Sequence, residues 1–202
     1  MAGRERLNGL PVTRRGLLTG AAAGGGLLLA WSLWPRRYEG ALAPNSTEFA
    51  FGAWLTVGED GVVTVAVPQL EMGQGVTTLL PQIVAMEMGA AWAQVAAAPV
   101  PPTGAQANIP LAVKWAPLWS AFPALADEPD SFLADRFARS EAFAATAEGT
   151  TLAAFENDCR AAGAAARAML AMVAADRWDV AWEECEVANG IVTHGERRAR
   201  FG

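Results

Sequence analysis

The sequence predicts an α+β protein: a β-hairpin–loop–helix–strand unit, a long proline-rich connection, an alanine-rich helix and a C-terminal hairpin, with a signal or anchor helix at the N-terminus. Three observations carry this prediction. Apolar residues alternate at period two on both sides of a Gly/Asp turn at 58–61, and the stretch from Thr151 to Trp178 places apolar residues at helical spacing. The 202 residues are 52% hydrophobic and 18% charged, a composition that builds a core rather than a disordered tail.

The first segment, 1–43, holds six of the 15 basic residues (Arg4, Arg6, Arg14, Arg15, Arg36, Arg37) against two acids, which leaves the remainder with a net charge of −10. Gly16–Trp34 contains no charged residue and follows Thr13-Arg14-Arg15-Gly16-Leu17-Leu18, a pattern that resembles a twin-arginine export signal. The same pattern fits a membrane anchor: at ~1.5 Å per residue the run crosses most of a ~30 Å hydrocarbon core, although Gly20 and Gly24–Gly26 weaken it as a helix. Ala41-Leu42-Ala43 has the small-x-small form of a cleavage site, but Pro44 behind it is poorly handled by signal peptidases, so cleavage and retention as an anchor both stay open. The arginine excess before the apolar run places the N-terminus inside and the bulk of the chain outside. Twin-arginine export carries folded proteins, commonly with a cofactor already inserted.

Segment 44–98 opens with the hairpin: Trp54 and Thr56, then Val63, Val65 and Val67, around Gly58-Glu59-Asp60-Gly61. Pro68 closes the second strand, and Gln69–Val76 forms a glycine-bearing loop. A helix over Thr77–Ala90 follows, with Thr77 or Thr78 as cap and Pro81 in its first turn. Ala91–Ala98 reads as a short returning strand. Segment 99–130 holds seven prolines and no sustained period, and its Trp115 and Trp119 either contact another surface or cover the domain's own core.

Segment 131–202 begins with a short helix at Ser131–Phe143 and continues with the long helix Thr151–Trp178. Cys185–Val187 and Ile191–Thr193 pair through the Asn189-Gly190 turn, after which Arg197–Gly202 runs on without a capping device, as if more chain should follow.

Composition also excludes functions. One His and two Cys are too few for a self-contained zinc or iron–sulfur site, so no metal ligand and no catalytic residue is assigned. A charge of −6 and a pI near 4.8 argue against a nucleic-acid partner. Cys159 and Cys185 lie on apolar-patterned segments and read as free thiols, and His194 has no partner pattern.

The candidate site is the loop Met72-Gly73-Gln74-Gly75-Val76. Gly73 and Gly75 let backbone N–H groups approach a ligand, Gln74 offers an amide donor and acceptor, and the next helix presents its N-terminus to an anion. The same residues also suit a plain strand-to-helix turn. The stretch VPQLEMGQGVTTLLPQIVAMEMGAAW (67–92) resembles the molybdopterin-binding segment of the xanthine dehydrogenase and aldehyde oxidase family, in particular the branch of isoquinoline 1-oxidoreductase β-subunits and membrane-linked aldehyde dehydrogenases. WSLWPRRY, AWLTVGEDGVVTV and the run from Ala161 to Gly195 agree with that branch in the same order.

The resemblance implies a molybdopterin cytosine dinucleotide cofactor, oxidative hydroxylation of aldehydes or N-heteroaromatics, and electron exit through a small 2Fe–2S subunit, often towards a membrane cytochrome c. It implies that 44–98 is a molybdopterin-binding-like unit and that 131–202 is an incomplete domain of the same kind. It adds a second segment, Glu148-Gly149-Thr150-Thr151, where relatives carry a Gly-Ser-Thr-type turn facing phosphates; here Thr150 and Thr151 stand beside an extra acid, and either also reads as a plain helix cap. Glu71 and Glu87 are declined as bases, because the family's catalytic Glu comes from a distant segment with no counterpart here. The chain matches only the start of a large subunit, so it is a fragment or one part of a split subunit, completed by the remainder and inactive alone. The opposing reading is an exported, membrane-tethered structural or assembly module without cofactor.

Overall fold

The computed structural model describes residues 36–202 and, ahead of them, a short antiparallel ladder of β1 (Arg6–Leu7) with β2 (Leu10–Pro11). The predicted signal or anchor stretch, 16–34, lies outside the described residues. Contacts divide the chain into a unit of residues 1–37 and a unit of residues 38–202. Among the described residues no helix is long and apolar enough to cross a membrane.

The second unit is mixed α and β. Strands β3 (Glu48–Phe51), β4 (Leu55–Gly58) and β5 (Val63–Val67) form an antiparallel meander, and β6 (Val95–Pro99) joins β5 in parallel. The predicted hairpin is β4–β5: Gly61 takes a positive φ of 80°, and the Asp60 carboxylate accepts from Val62 N–H at 3.0 Å. Strand β3 was not expected, and the sequence reading put Trp54 on a strand. Gly52, at φ 68°, turns the chain there instead, so Trp54 sits in the turn with its ring 5.5 Å from Phe155.

Register places Leu55 opposite Val65 and Val57 opposite Val63, so these four share one face with Val67. Helix α1 (Val76–Met88) connects β5 to β6 and buries Val76, Leu80, Ile83, Val84 and Met88. It starts one residue earlier than predicted. Neither Thr77 nor Thr78 caps it; left-handed Gly75 occupies the cap position, and Pro81 falls in the second turn, where it removes the N–H partner of the Thr77 carbonyl. The returning strand begins after a 3-10 turn at Trp92–Gln94 and ends at Pro99.

The proline-rich connection is more ordered than its lack of period suggests. Two of its prolines start helices rather than break them: Pro110 lies in the first turn of α2 (Ile109–Lys114) and Pro117 in that of α3 (Ala116–Trp119). Helix α4 (Phe132–Ser140) follows, capped by Ser131. The two tryptophans pack on Phe137 and Phe143, which border a small buried cluster of Ala107, Ala112 and Ala138. Trp119 stacks on Phe137 with ring centroids 4.2 Å apart, and Trp115 meets Phe143 edge-on at 6.0 Å.

Helix α5 spans Thr151–Trp178 as expected, and buries Phe155, Cys159, Gly163, Ala166, Ala171 and Ala174. The C-terminal hairpin, β7 (Glu186–Ala188) and β8 (Ile191–His194), is extended by a third strand, β9 (Arg197–Arg200). The uncapped tail predicted at 197–202 is thus paired, and Phe201 enters the main core. That core runs from Trp54 to Phe201 and joins the four-stranded sheet, α1, α5 and the C-terminal sheet.

Candidate functional site

The two segments singled out in the sequence, 69–76 and 148–151, meet. Gln69, which follows β5 and Pro68, is buried and carries the junction: its Nε2 donates to Ala145 O at 3.0 Å, and its Oε1 accepts from Thr151 Oγ1 at 2.7 Å. Thr146 Oγ1 adds a bond to Leu70 O at 3.3 Å. Between the two segments lies a cleft of about 180 Å³ lined by Met72, Gln74, Thr146, Glu148, Gly149 and Thr151. Val76 does not reach it; it is fully buried in the core.

The loop is organised by Glu71. Its Oε1 accepts from Gly73 N–H at 2.8 Å and Gly75 N–H at 2.9 Å, while its Oε2 accepts from Thr77 N–H at 3.2 Å and Thr77 Oγ1 at 3.1 Å. Gly73 and Gly75 reach this arrangement with φ of 97° and 78°, conformations that favour glycine. The donors hold the Glu71 carboxyl down at about 2, the Gly75 N–H contributing most, then that of Thr77, against an opposing effect of desolvation that exceeds the contribution of the Gly73 N–H. Gln74 is also engaged internally, its Nε2 donating to Leu70 O at 2.7 Å and its Oε1 accepting from Met72 N–H at 2.6 Å. The Met72 side chain points outward and is 62% exposed.

The side chains of the facing wall also bond within the protein. Thr150 stands at the cap position of α5, but its hydroxyl makes no capping bond. It donates to Ala147 O at 2.9 Å and accepts from Asn108 Nδ2 at 2.8 Å. Asn108 is fully buried; it also donates to Ala145 O at 2.9 Å, and its Oδ1 caps α2 by accepting from Leu111 N–H at 3.1 Å. Glu148 and Gly149 both have positive φ, 52° and 64°. The Glu148 carboxylate accepts from Trp115 Nε1 at 2.6 Å and lies 3.5 Å from Lys114 Nζ.

Glu71, Gln69 and Asn108 are the residues that the sequence reading missed as builders of this site. Asn108 was findable, as a side-chain acceptor just before an Ile-Pro helix start. Gln69 was not, because its partners lie 76 and 82 positions away.

The sequence of this region has a relative. No family model matches the chain. Over 167 residues, 80% of its length, the chain is 32% identical to the isoquinoline 1-oxidoreductase subunit beta of Brevundimonas diminuta. It spans 16% of that relative's length.

A dinucleotide cofactor brings phosphates, and the cleft can be tested against them. The N–H groups of Gly73, Gly75 and Thr77 already serve Glu71, and the hydroxyls of Thr150 and Thr151 are turned into the protein. The Glu148 carboxylate lines the space, and the loop beside it carries Glu71. As the loops stand, these residues do not fit a phosphate. Among the described residues there is also no cluster of three or more His, Cys, Asp or Glu side chains arranged to hold a metal ion.

Elsewhere, several other titratable groups among the described residues are paired or buried. Arg160 binds Glu87 and also Glu156, at 2.9 Å. His194, expected to stand alone, lies 3.1 Å from Glu184. Cys159 and Cys185 are free thiols, the first buried and the second half-buried. A larger cleft of about 420 Å³, away from both loops, is lined by Trp54, Arg139, Asp158 and alanines of α5; burial raises the Asp158 carboxyl there, with Arg139 opposing.

Proposed function

We propose that this chain supplies the N-terminal portion of the large subunit of a molybdopterin-dependent oxidoreductase, as a fragment or as one polypeptide of a split subunit. The observation that carries this reading is the 32% identity over 80% of the chain to an isoquinoline 1-oxidoreductase β-subunit. The ordered agreement of the segments around 31–38, 53–65, 67–92 and 161–195 with that branch supports it. In this reading the complete enzyme hydroxylates aldehydes or N-heteroaromatics. Electrons pass to a 2Fe–2S subunit, and in some arrangements onward to a membrane cytochrome c.

This chain's own part is scaffolding. None of its residues is assigned to the chemistry, and the cofactor, in the cytosine dinucleotide form that the resemblance implies, is completed by the rest of the large subunit. The Arg14-Arg15 leader supports export by the twin-arginine route to the periplasmic side of the inner membrane, with 16–34 as anchor if it is retained.

The satisfied hydrogen bonds of both loops favour one second reading, a tethered structural module that binds no cofactor. A tagged pull-down of the full chain from its native cell envelope, with metal analysis and identification of co-purifying chains, separates the two. Molybdenum, a 2Fe–2S subunit and a continuation polypeptide are the expected result. A clean, metal-free single chain overturns the enzyme reading and leaves the module.

A further inference from the structure

We infer that the Gly73–Gly75 loop is a self-closed clasp, in which the Glu71 carboxylate occupies the place an incoming phosphate would take. Backbone N–H groups that converge on one point attract an anion, and a helix N-terminus adds to that attraction. Here both are served from within: four donors converge on one carboxylate, two on each oxygen. The anion is covalently part of the loop, so it holds its place without the loss of translational freedom that a free ligand meets on binding.

A phosphate would have to expel Glu71 and then remain beside its displaced charge. It would meet a second carboxylate, Glu148, on the opposite wall, fixed by Trp115 and Lys114. The hydroxyls of that wall are already engaged, since Thr146, Thr150 and Thr151 donate to Leu70 O, Ala147 O and Gln69 Oε1.

The clasp has a different use. Gln69 and Thr146 tie it to the segment ahead of α5, and Gln74 fixes the backbone of residues 70 and 72. The loop therefore acts as a rigid joint between the four-stranded sheet and the long helix. Glu71 is its positioning residue. This holds whether or not the chain belongs to a molybdenum enzyme, so the pull-down above can succeed or fail without deciding it.

The test uses the full 202-residue chain, ¹⁵N-labelled and titrated with inorganic pyrophosphate into the millimolar range. The amide resonances of Gly73, Gly75 and Thr77 are expected to stay in place, and saturable shifts of those three overturn the proposal. In Glu71→Ala the amide hydrogens of Gly73 and Gly75 are expected to exchange roughly tenfold faster or more, the loss of a charge-assisted hydrogen bond, with Glu71→Gln falling between because it keeps an acceptor. Unchanged exchange in Glu71→Ala equally overturns it. The pyrophosphate arm needs no variant, so a failure of Glu71→Ala to fold leaves the test intact.

Discussion

Glu71 shows how one side chain decides the character of a loop. Its carboxyl is held at about 2, below the ordinary value of 4.5, because its charged form accepts from Gly75, Thr77 and Gly73. A depressed folded-state value means that the clasp contributes fully above the ordinary carboxylate range and loses that contribution as pH falls through about 2. Monitoring the Glu71 carboxyl carbon by NMR is expected to show its titration well below that of the exposed glutamates. A midpoint in the ordinary range would mean that the donors do not hold it. The sequence displays every component of the loop, and its glycines suit both the approach of a ligand and a plain strand-to-helix turn. Which acceptor reaches those N–H groups depends on side-chain direction, and spacing alone does not carry that. At Thr150 the reading as a cap named the position correctly but not the bond, because buried Asn108 competes for the hydroxyl from 42 positions away.

The decisive contact between elements is that of α1 with α5. Gly163 lets the helices approach so closely that an added Cβ would lie 2.8 Å from Val84 O and 2.9 Å from Glu87 Cβ. Glycine is a poor helix residue, so an exposed Gly-to-Ala change in a helix is stabilising by about 1 kcal/mol. Here overpacking dominates, and Gly163→Ala is expected to destabilise by roughly 1–3 kcal/mol, read as a lower urea midpoint. A higher midpoint would show that the helices can part without loss. Helix α5 was legible to the residue because its period runs for almost eight turns. Strands β3 and β9 were not, since short segments such as Arg197–Arg200 carry no apolar alternation and become strands only by pairing with a neighbour.

At the scale of the molecule, the sheet, both long helices and the C-terminal strands share one core, so the second unit is expected to unfold in a single transition. Cys159 reports on it. Burial pushes its thiol up to about 12, with Asp158 adding to the effect, which leaves almost no thiolate at neutral pH. Its labelling by a thiol reagent is expected to follow the loss of helical circular dichroism with denaturant. Labelling that runs well ahead of that loss would reveal a separately opening part. Local periodicity, turn chemistry and capping residues are properties of neighbours along the chain, and from them the sequence by itself determined the mixed α and β character, the β4–β5 hairpin, α1, α5 and the loop between strand and helix. Tertiary structure alone decided that the loop's donors close on Glu71, that Gln69 joins it to α5, and that Trp115 and Trp119 pack on this chain's own Phe143 and Phe137. Those outcomes rest on contacts between residues dozens of positions apart, where geometry rather than spacing selects the partner.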